Sequence, residues 1–149
     1  MELAHNKHGL FNYDILERLE AGLVLSGAEV KAAKGGRLSL KGSYVTVDHN
    51  NEAWLVNSYI PRYQPAGDTQ KGYDPYRRRK LLLHKRELDQ LRGGRQQTGL
   101  TIIPTSVYTK RRLIKVSIAL ARGRSATDKR MLIKEREVNR TVRRTLRQK

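Results

Sequence analysis

Cysteine is absent from this sequence. That excludes a disulfide framework, a thiolate metal site and a cysteine nucleophile. Long apolar runs are absent too: nowhere do about 18 apolar residues follow one another, so no helical membrane span is expected. The first residues, MELAHNKHGLFNYD, hold no apolar run of signal-peptide length, and a cytoplasmic protein is expected. Catalytic signatures are equally scarce, with no GxSxG, Walker A or GxGxxG motif. The four histidines, His5, His8, His49 and His84, are scattered, and no pair has metal-ligand spacing with a carboxylate. A binding protein is therefore expected, with no catalytic residues, no metal and no cofactor.

Acidic residues are also few. There are 14 of them against 31 Lys and Arg, a net charge of +17 in 149 residues. From Arg122 to the end, eleven Lys and Arg face three acids, so this stretch alone carries +8. Such an excess repels itself unless a polyanion neutralises it. Nucleic acid is favoured over an anionic membrane surface. A membrane-lying helix would present Trp and Phe on one face, and this basic tail has neither.

The apolar residues concentrate between about Tyr13 and Leu120. Tyr13, Ile15, Leu19, Leu23 and Leu25 share one parity and predict a strand, with Glu17 interrupting its buried face. GAEVKAAKGG, Gly27–Gly36, predicts a short helix stopped by its glycine pair. Ser43–Ile60 reads as a hairpin turning at Asp48–Glu52, with Trp54 as a core residue. Pro61–Pro75 reads as a long loop. LLLHKRELDQLRGG predicts a helix with Leu81, Leu88 and Leu91 inward, ended by Gly93-Gly94. Thr101–Tyr108 and Leu113–Leu120 read as strands joined by TKRR, with Pro104 at an edge or a bulge. Five or more antiparallel strands with two or three short helices over residues 1–124 suit a mainly β chain. It is either a small closed or partly closed barrel, of which an OB-like barrel is one kind, or a sandwich, and pattern alone does not separate them. Residues 125–149 then form a basic tail. Val138, Val142 and Leu146, with Met131 seven before Val138, make a narrow helical stripe. Isolated helices are marginal in water, so the tail is expected to be disordered when free and helical when bound.

YRRRKLLLHKR, Tyr76–Arg86, has six Lys and Arg in eleven positions and reads as a phosphate-contacting patch. KRR, Lys110–Arg112, and ARGR, Ala121–Arg124, repeat the theme. Seven tyrosines, mainly at strand ends or in loops, could stack on splayed bases. Glu20 and Glu29 stand among small or apolar neighbours. Each can be read as a general base, as a carboxylate that accepts from a base edge or buttresses a basic surface, or as a plain surface acid, the last being the commonest case.

Several segments together resemble the SsrA-binding protein (SmpB) family. They are Asn6-Lys7, EAGLVLSGAEVKAAKGGRLSLKGSYV at Glu20–Val45, DPYRRRKLLLHKRELDQL at Asp74–Leu91, KVSIALARGR at Lys115–Arg124, and DKRMLIKERE at Asp128–Glu137. The resemblance implies an OB-like barrel that is not an enzyme. It implies binding to the tRNA-like domain of transfer-messenger RNA and delivery of that RNA to stalled ribosomes for trans-translation. The tail would occupy the mRNA channel and the decoding centre. By motif match, RNA-binding roles fall on Asn6, Lys7, Glu20, Leu82, Lys115, Arg122, Gly123 and Arg124. Ribosome-binding roles fall on Asp128, Lys129, Arg130, Lys134, Glu135 and Arg136. Partners are thus the transfer-messenger RNA and the ribosome, with no membrane, and the protein is expected to be a monomer.

The chain departs from the family pattern at His8–Asn12, which reads HGLFN. It departs again at Thr127, where a ring able to stack on a base is usual. A ribosomal or assembly protein with an OB-like barrel is the competing reading. A small hydrolase on the same scaffold would need a titratable pair in a cleft, and the sequence offers none.

Overall fold

A computed structural model describes residues 1–65, 71–96 and 99–147. In chain order the elements are β1 (Glu2–His5), α1 (Lys7–Asn12), β2 (Tyr13–Leu23), α2 (Gly27–Lys34), β3 (Tyr44–Val47), β4 (Ala53–Val56), β5 (Arg79–Leu82), α3 (Lys85–Arg95), β6 (Leu100–Lys110), β7 (Leu113–Gly123) and α4 (Ala126–Arg147). The strands form one antiparallel sheet in the order β1-β6-β3-β4-β5-β2-β7, and a β6–β7 pairing closes it into a barrel. The expected mainly β barrel is what the chain forms. Among the described residues no helix is long and apolar enough to cross a membrane.

The alternation in β7 turns Ile114, Val116, Ile118 and Leu120 inward, as the sequence predicts. Opposite them on β2 the ladder slips between Ile15 and Glu17. This bulge accounts for the acid that interrupts the β2 pattern: one extra residue changes which parity faces the core. Leu19 and Ala21 then pair with Ile118 and Val116. Pro104 sits beside the β6 bulge, between it and Ser106. That is the kind of place where a residue without an N–H is tolerated.

Three expectations need correction. Arg79–Leu82 is strand β5, so Leu81 fills the barrel from a strand and α3 begins only at Lys85. Gly93 and Gly94 do not end α3, which runs on to Arg95. A Cβ on Gly94 would stand 2.6 Å from Leu120 Cδ2, so this glycine lets the helix lie close on the barrel wall. Trp54 is not a core residue. It stands on the outer face of β4 opposite Thr46 and Lys80, while its neighbours Ala53 and Leu55 point in. Of the loop at Pro61–Pro75, residues 66–70 lie outside the described residues.

The loop's described end carries a strong constraint. Arg79 is wholly buried (0% exposed) and Glu29 nearly so (2%). Arg79 Nε donates to Glu29 Oε2 at 2.8 Å, Nη1 to the Ser58 carbonyl at 2.8 Å, and Nη2 to the Tyr73 hydroxyl at 2.8 Å and the Pro75 carbonyl at 3.0 Å. Glu29 also accepts from Arg77 through both carboxylate oxygens, and from the Ser26 N–H at 2.9 Å. Ser26 Oγ in return accepts from the Glu29 N–H at 3.2 Å, a capping box at the start of α2. The network ties α2, the end of the loop and β5 together. Burial alone would push the Glu29 carboxyl up. The hydrogen bonds from Arg77, Ser26 and Arg79, with the charge of Arg79, outweigh it and hold its pKa at about 2.

Glu29→Ala should destabilise the protein by about 3–5 kcal/mol in urea unfolding, because it strands a buried guanidinium. The pH dependence has a fixed sign. A carboxyl depressed on folding contributes stability above its ordinary pKa, 4.5, and that contribution is lost as pH falls toward about 2. Urea midpoints between pH 6 and pH 2.5 should therefore decline more steeply in the parent than in Glu29→Gln. The β6–β7 turn gives a second expectation. Arg111 and Arg112 have φ of 50° and 69°, a two-residue turn with both residues left-handed, where Asn-Gly is the favoured pair. Arg111→Asn with Arg112→Gly should raise stability by about 1–2 kcal/mol in the same assay.

Candidate nucleic-acid interface

The β2 and β7 ladders carry two groups of candidate residues to opposite ends of one wall. At one end Gly22 of β2 stands opposite Leu82 of β5 and Lys115 of β7. A cleft of about 470 Å³ opens over these three, and Glu20, His84 and Glu87 also line it. Three of the predicted residues, Glu20, Leu82 and Lys115, therefore share one site. Leu82 is 56% exposed, an unusual position for a leucine on a strand. A Cβ at Gly22 would lie 3.3 Å from the Leu82 Cβ, so the glycine leaves the leucine room to lie across β2.

Glu20 accepts from the Tyr108 hydroxyl and, at 3.2 Å, from Lys110 Nζ. The Tyr108 bond, then the Lys110 bond, holds its carboxyl below the ordinary range, so it is ionised at neutral pH. Burial and the neighbouring carboxylate push Tyr108 up to about 12, so the phenol keeps its proton and remains a donor. The sequence reads Lys110 as part of a basic turn and Tyr108 as one of the stacking tyrosines, but marks neither as a partner of Glu20. Their signal was available: both share the parity of one strand face and lead into a basic turn. Lys115 has no carboxylate within ion-pair distance among the described residues. The site thus offers an acceptor, an apolar shelf and a free cation side by side.

The second group meets where the N-terminus, the end of β7 and the start of α4 converge. Asn6, Gly123, Arg124 and Lys129 line a cleft of about 560 Å³ together with Tyr13 and Tyr44. Gly123 pairs with Tyr13, and Lys115 with Gly22, so the two clefts are separated by eight residues of β7, roughly 27 Å. Asn6 itself is buried, 3% exposed. Its Nδ2 donates to the Pro104 carbonyl at 2.7 Å, and its Oδ1 accepts from the Gly9 N–H at 2.9 Å, capping α1. With both ends of its amide engaged inside the protein, Asn6 positions the N-terminal helix. A side chain on Gly9 would collide with that amide. Lys7, the first residue of α1, is exposed.

Arg124 pairs with Asp14 at 2.9 Å, and its backbone N–H donates to the Asn12 carbonyl at 2.8 Å. Arg122 is exposed. Nothing but the Tyr13 ring, at 3.9 Å, approaches a Cβ built on Gly123. In the tail, Asp128 accepts from the Ser125 N–H at 3.3 Å while Ser125 Oγ accepts from the Asp128 N–H at 3.2 Å. This reciprocal cap starts α4, and its serine was not among the predicted residues although Ser-x-x-Asp is a cap pattern. Arg136 lies 5.4 Å from the centre of the Phe11 ring, while Arg130, Lys134 and Glu135 are exposed.

A comparison with protein-family models matches residues 3–148 to SmpB protein. The chain belongs to the SmpB family. It is similar to the SsrA-binding protein of Persephonella marina, 50% identical over 140 residues, covering 94% of this chain and 90% of that one. It is also similar to the SsrA-binding protein of Coprothermobacter proteolyticus, 50% identical over 143 residues, covering 95% and 94%. A solved structure described as "tmRNA-SmpB: a journey to the center of the bacterial ribosome" matches with a TM-score of 0.69 and 38% identity, covering 87% of this chain and 92% of that one. The SmpB match thus takes in the barrel and the tail alike.

Asn6→Ala should cost about 2 kcal/mol, from the lost cap and the stranded Pro104 carbonyl. Limited proteolysis should then cut within residues 6–13 sooner than in the parent.

Proposed function

We propose that the protein binds the tRNA-like domain of transfer-messenger RNA and delivers it to stalled ribosomes for trans-translation. The observation that carries this reading is the convergence of Glu20, Leu82 and Lys115 in one cleft of an SmpB-family barrel. Each suits a different part of a folded RNA. The ionised Glu20 accepts hydrogen bonds from an exposed base edge. Leu82 lies against a base or ribose face. Lys115 neutralises a phosphate, which fixes register without reading sequence. The relatives' names and the tmRNA–SmpB structure support the RNA and the ribosome as partners, and a cytoplasmic setting goes with a ribosomal partner. The chemistry proposed for the cleft is recognition of RNA, in keeping with the SmpB family match.

The tail supplies the second half of the function. Residues 1–124 grip the RNA, and residues 125–149 follow the mRNA channel toward the decoding centre. Asp128 starts the helix there, and Lys129, Arg130, Lys134 and Arg136 meet ribosomal RNA, with Glu135 turned to a basic neighbour. Arg122, Gly123 and Arg124 bridge the two parts, and Lys7 adds charge beside the second cleft. The exposed faces of α4 support a helix that gains its packing from the ribosome rather than from the barrel.

Glu20→Ala, Leu82→Ala and Lys115→Ala should each weaken binding of a tRNA-like-domain transcript in gel-shift titration. Circular dichroism melts should stay within about 0.5 kcal/mol of the parent, since Glu20 and Leu82 are exposed and Lys115 is half-buried on the outer face. Unchanged affinity in all three would overturn the assignment of this cleft. Removing residues 125–149 should leave that affinity intact and abolish tagging in a reconstituted translation assay. An equal loss of RNA affinity would instead make the tail a second RNA anchor.

A further inference from the structure

The basic run Tyr76–Arg86 does not act as one patch. Its residues alternate about the wall of the barrel. Arg77 and Arg79 turn to Glu29 and are taken up by the buried network. Lys80 and Leu82 face outward on β5, and Arg78 precedes them with the same parity. Lys80 lies within 3.9 Å of Glu52. Arg78 has no carboxylate within ion-pair distance among the described residues, and what it touches is Trp54. Its guanidinium carbon lies 3.9 Å from the centre of the indole ring.

Trp54 is well held for this purpose. Its Nε1–H donates to Asp48 Oδ2 at 2.9 Å, and Asp48 Oδ1 accepts from the Asn50 and Glu52 N–H groups at 3.0 and 2.9 Å. The hairpin turn thereby fixes the plane of the ring. A guanidinium resting on a fixed aromatic face keeps its N–H fork directed outward, and it loses less conformational freedom when it meets an anion. Arg78 is four residues from Leu82 along an extended chain, roughly 13 Å. Lys80 lies between them on the same face, its charge shared with Glu52.

We propose that Arg78, stacked on Trp54, is a phosphate clamp that extends the RNA-binding face from the Glu20–Leu82–Lys115 cleft across β5 to β4. The proposal rests on the reading of that cleft as an RNA site. The bound group is a backbone phosphate of the same RNA, because the outward fork matches two phosphate oxygens. The contact adds affinity and register and leaves sequence selectivity to the cleft.

The test is a gel-shift titration of the full-length protein with a tRNA-like-domain transcript at several salt concentrations. Arg78→Ala should weaken binding about three- to tenfold and lower the slope of log affinity against log salt by about one. Arg78→Lys should keep the slope but lose affinity, since an ammonium does not lie flat on the ring. Trp54→Leu should lose affinity too, and the Arg78→Ala effect should shrink in the Trp54→Leu background. Leu82→Ala, measured in parallel, separates the two claims. If Leu82→Ala weakens binding while Arg78→Ala changes neither affinity nor slope, the clamp is wrong and the cleft stands. If neither variant changes binding, the reading of the cleft fails and the clamp fails with it.

Discussion

The fold depends on one buried charge. Arg79 has lost all its water, and a guanidinium in that position is tolerated only if its donors are met. They are met by the carboxylate of α2, the carbonyl and hydroxyl of Ser58, the Tyr73 hydroxyl and the Pro75 and Arg77 carbonyls. No single strand pairing could hold these pieces in place, since Glu29 is 50 residues from Arg79 in the chain. An apolar residue at position 79 could fill the volume. It would leave Tyr73 and Pro75 bonded to Ile60, and Tyr73 to Glu29, but would remove their bonds to β5.

That constraint also shapes the face proposed to bind RNA. With Arg79 and Leu81 committed inward, the period of two in a strand obliges Arg78, Lys80 and Leu82 to point outward. Tyr76, 54% exposed against the Tyr59 ring, precedes them with the same parity. The exposed leucine and the arginine on its tryptophan are therefore consequences of where the neighbouring side chains are anchored. The strained Arg111-Arg112 turn belongs to the same picture. It lies at the end of β6 just past Lys110, which bonds Glu20, so the conformational cost falls where cationic charge meets the cleft.

Much of this was legible in the sequence, and the gaps have physical causes. The alternation of β7 and the hairpin Ser43–Ile60 were plain because one face of each is apolar. Strand β5 was hidden because RRRKLLL has no apolar alternation to read: its inward positions include an arginine, and its outward ones a leucine. Helix α3 was overextended toward its N-terminus for the same reason. Its end was set too early because glycine usually breaks a helix, whereas Gly94 is there to let Leu120 approach. Strand β1 and helix α1 were missed since ELAH is four residues long and KHGLFN has no heptad to display; Asn6 holds them by tertiary bonds. Leu82 and Lys115 were reached through resemblance alone, whereas Glu20 also stood out among small and apolar neighbours. Nothing local says that residues 62 and 33 positions apart will share a cleft.

The tail completes the argument from the opposite side. In α4 the apolar stripe Met131, Val138, Val142 and Leu146 is exposed, so no core holds the helix together. Its stability comes from its own propensity, from the Ser125–Asp128 cap, and from a tether at its start through Arg124, Asp14 and the Arg136–Phe11 contact. A helix so built stands near the balance between forming and fraying. Self-repulsion among its cations pushes it toward fraying, and a surrounding polyanion removes that repulsion. The barrel is fixed by a charge it has buried, whereas the tail's charges stay in reach of solvent, where an RNA-walled channel could decide their arrangement.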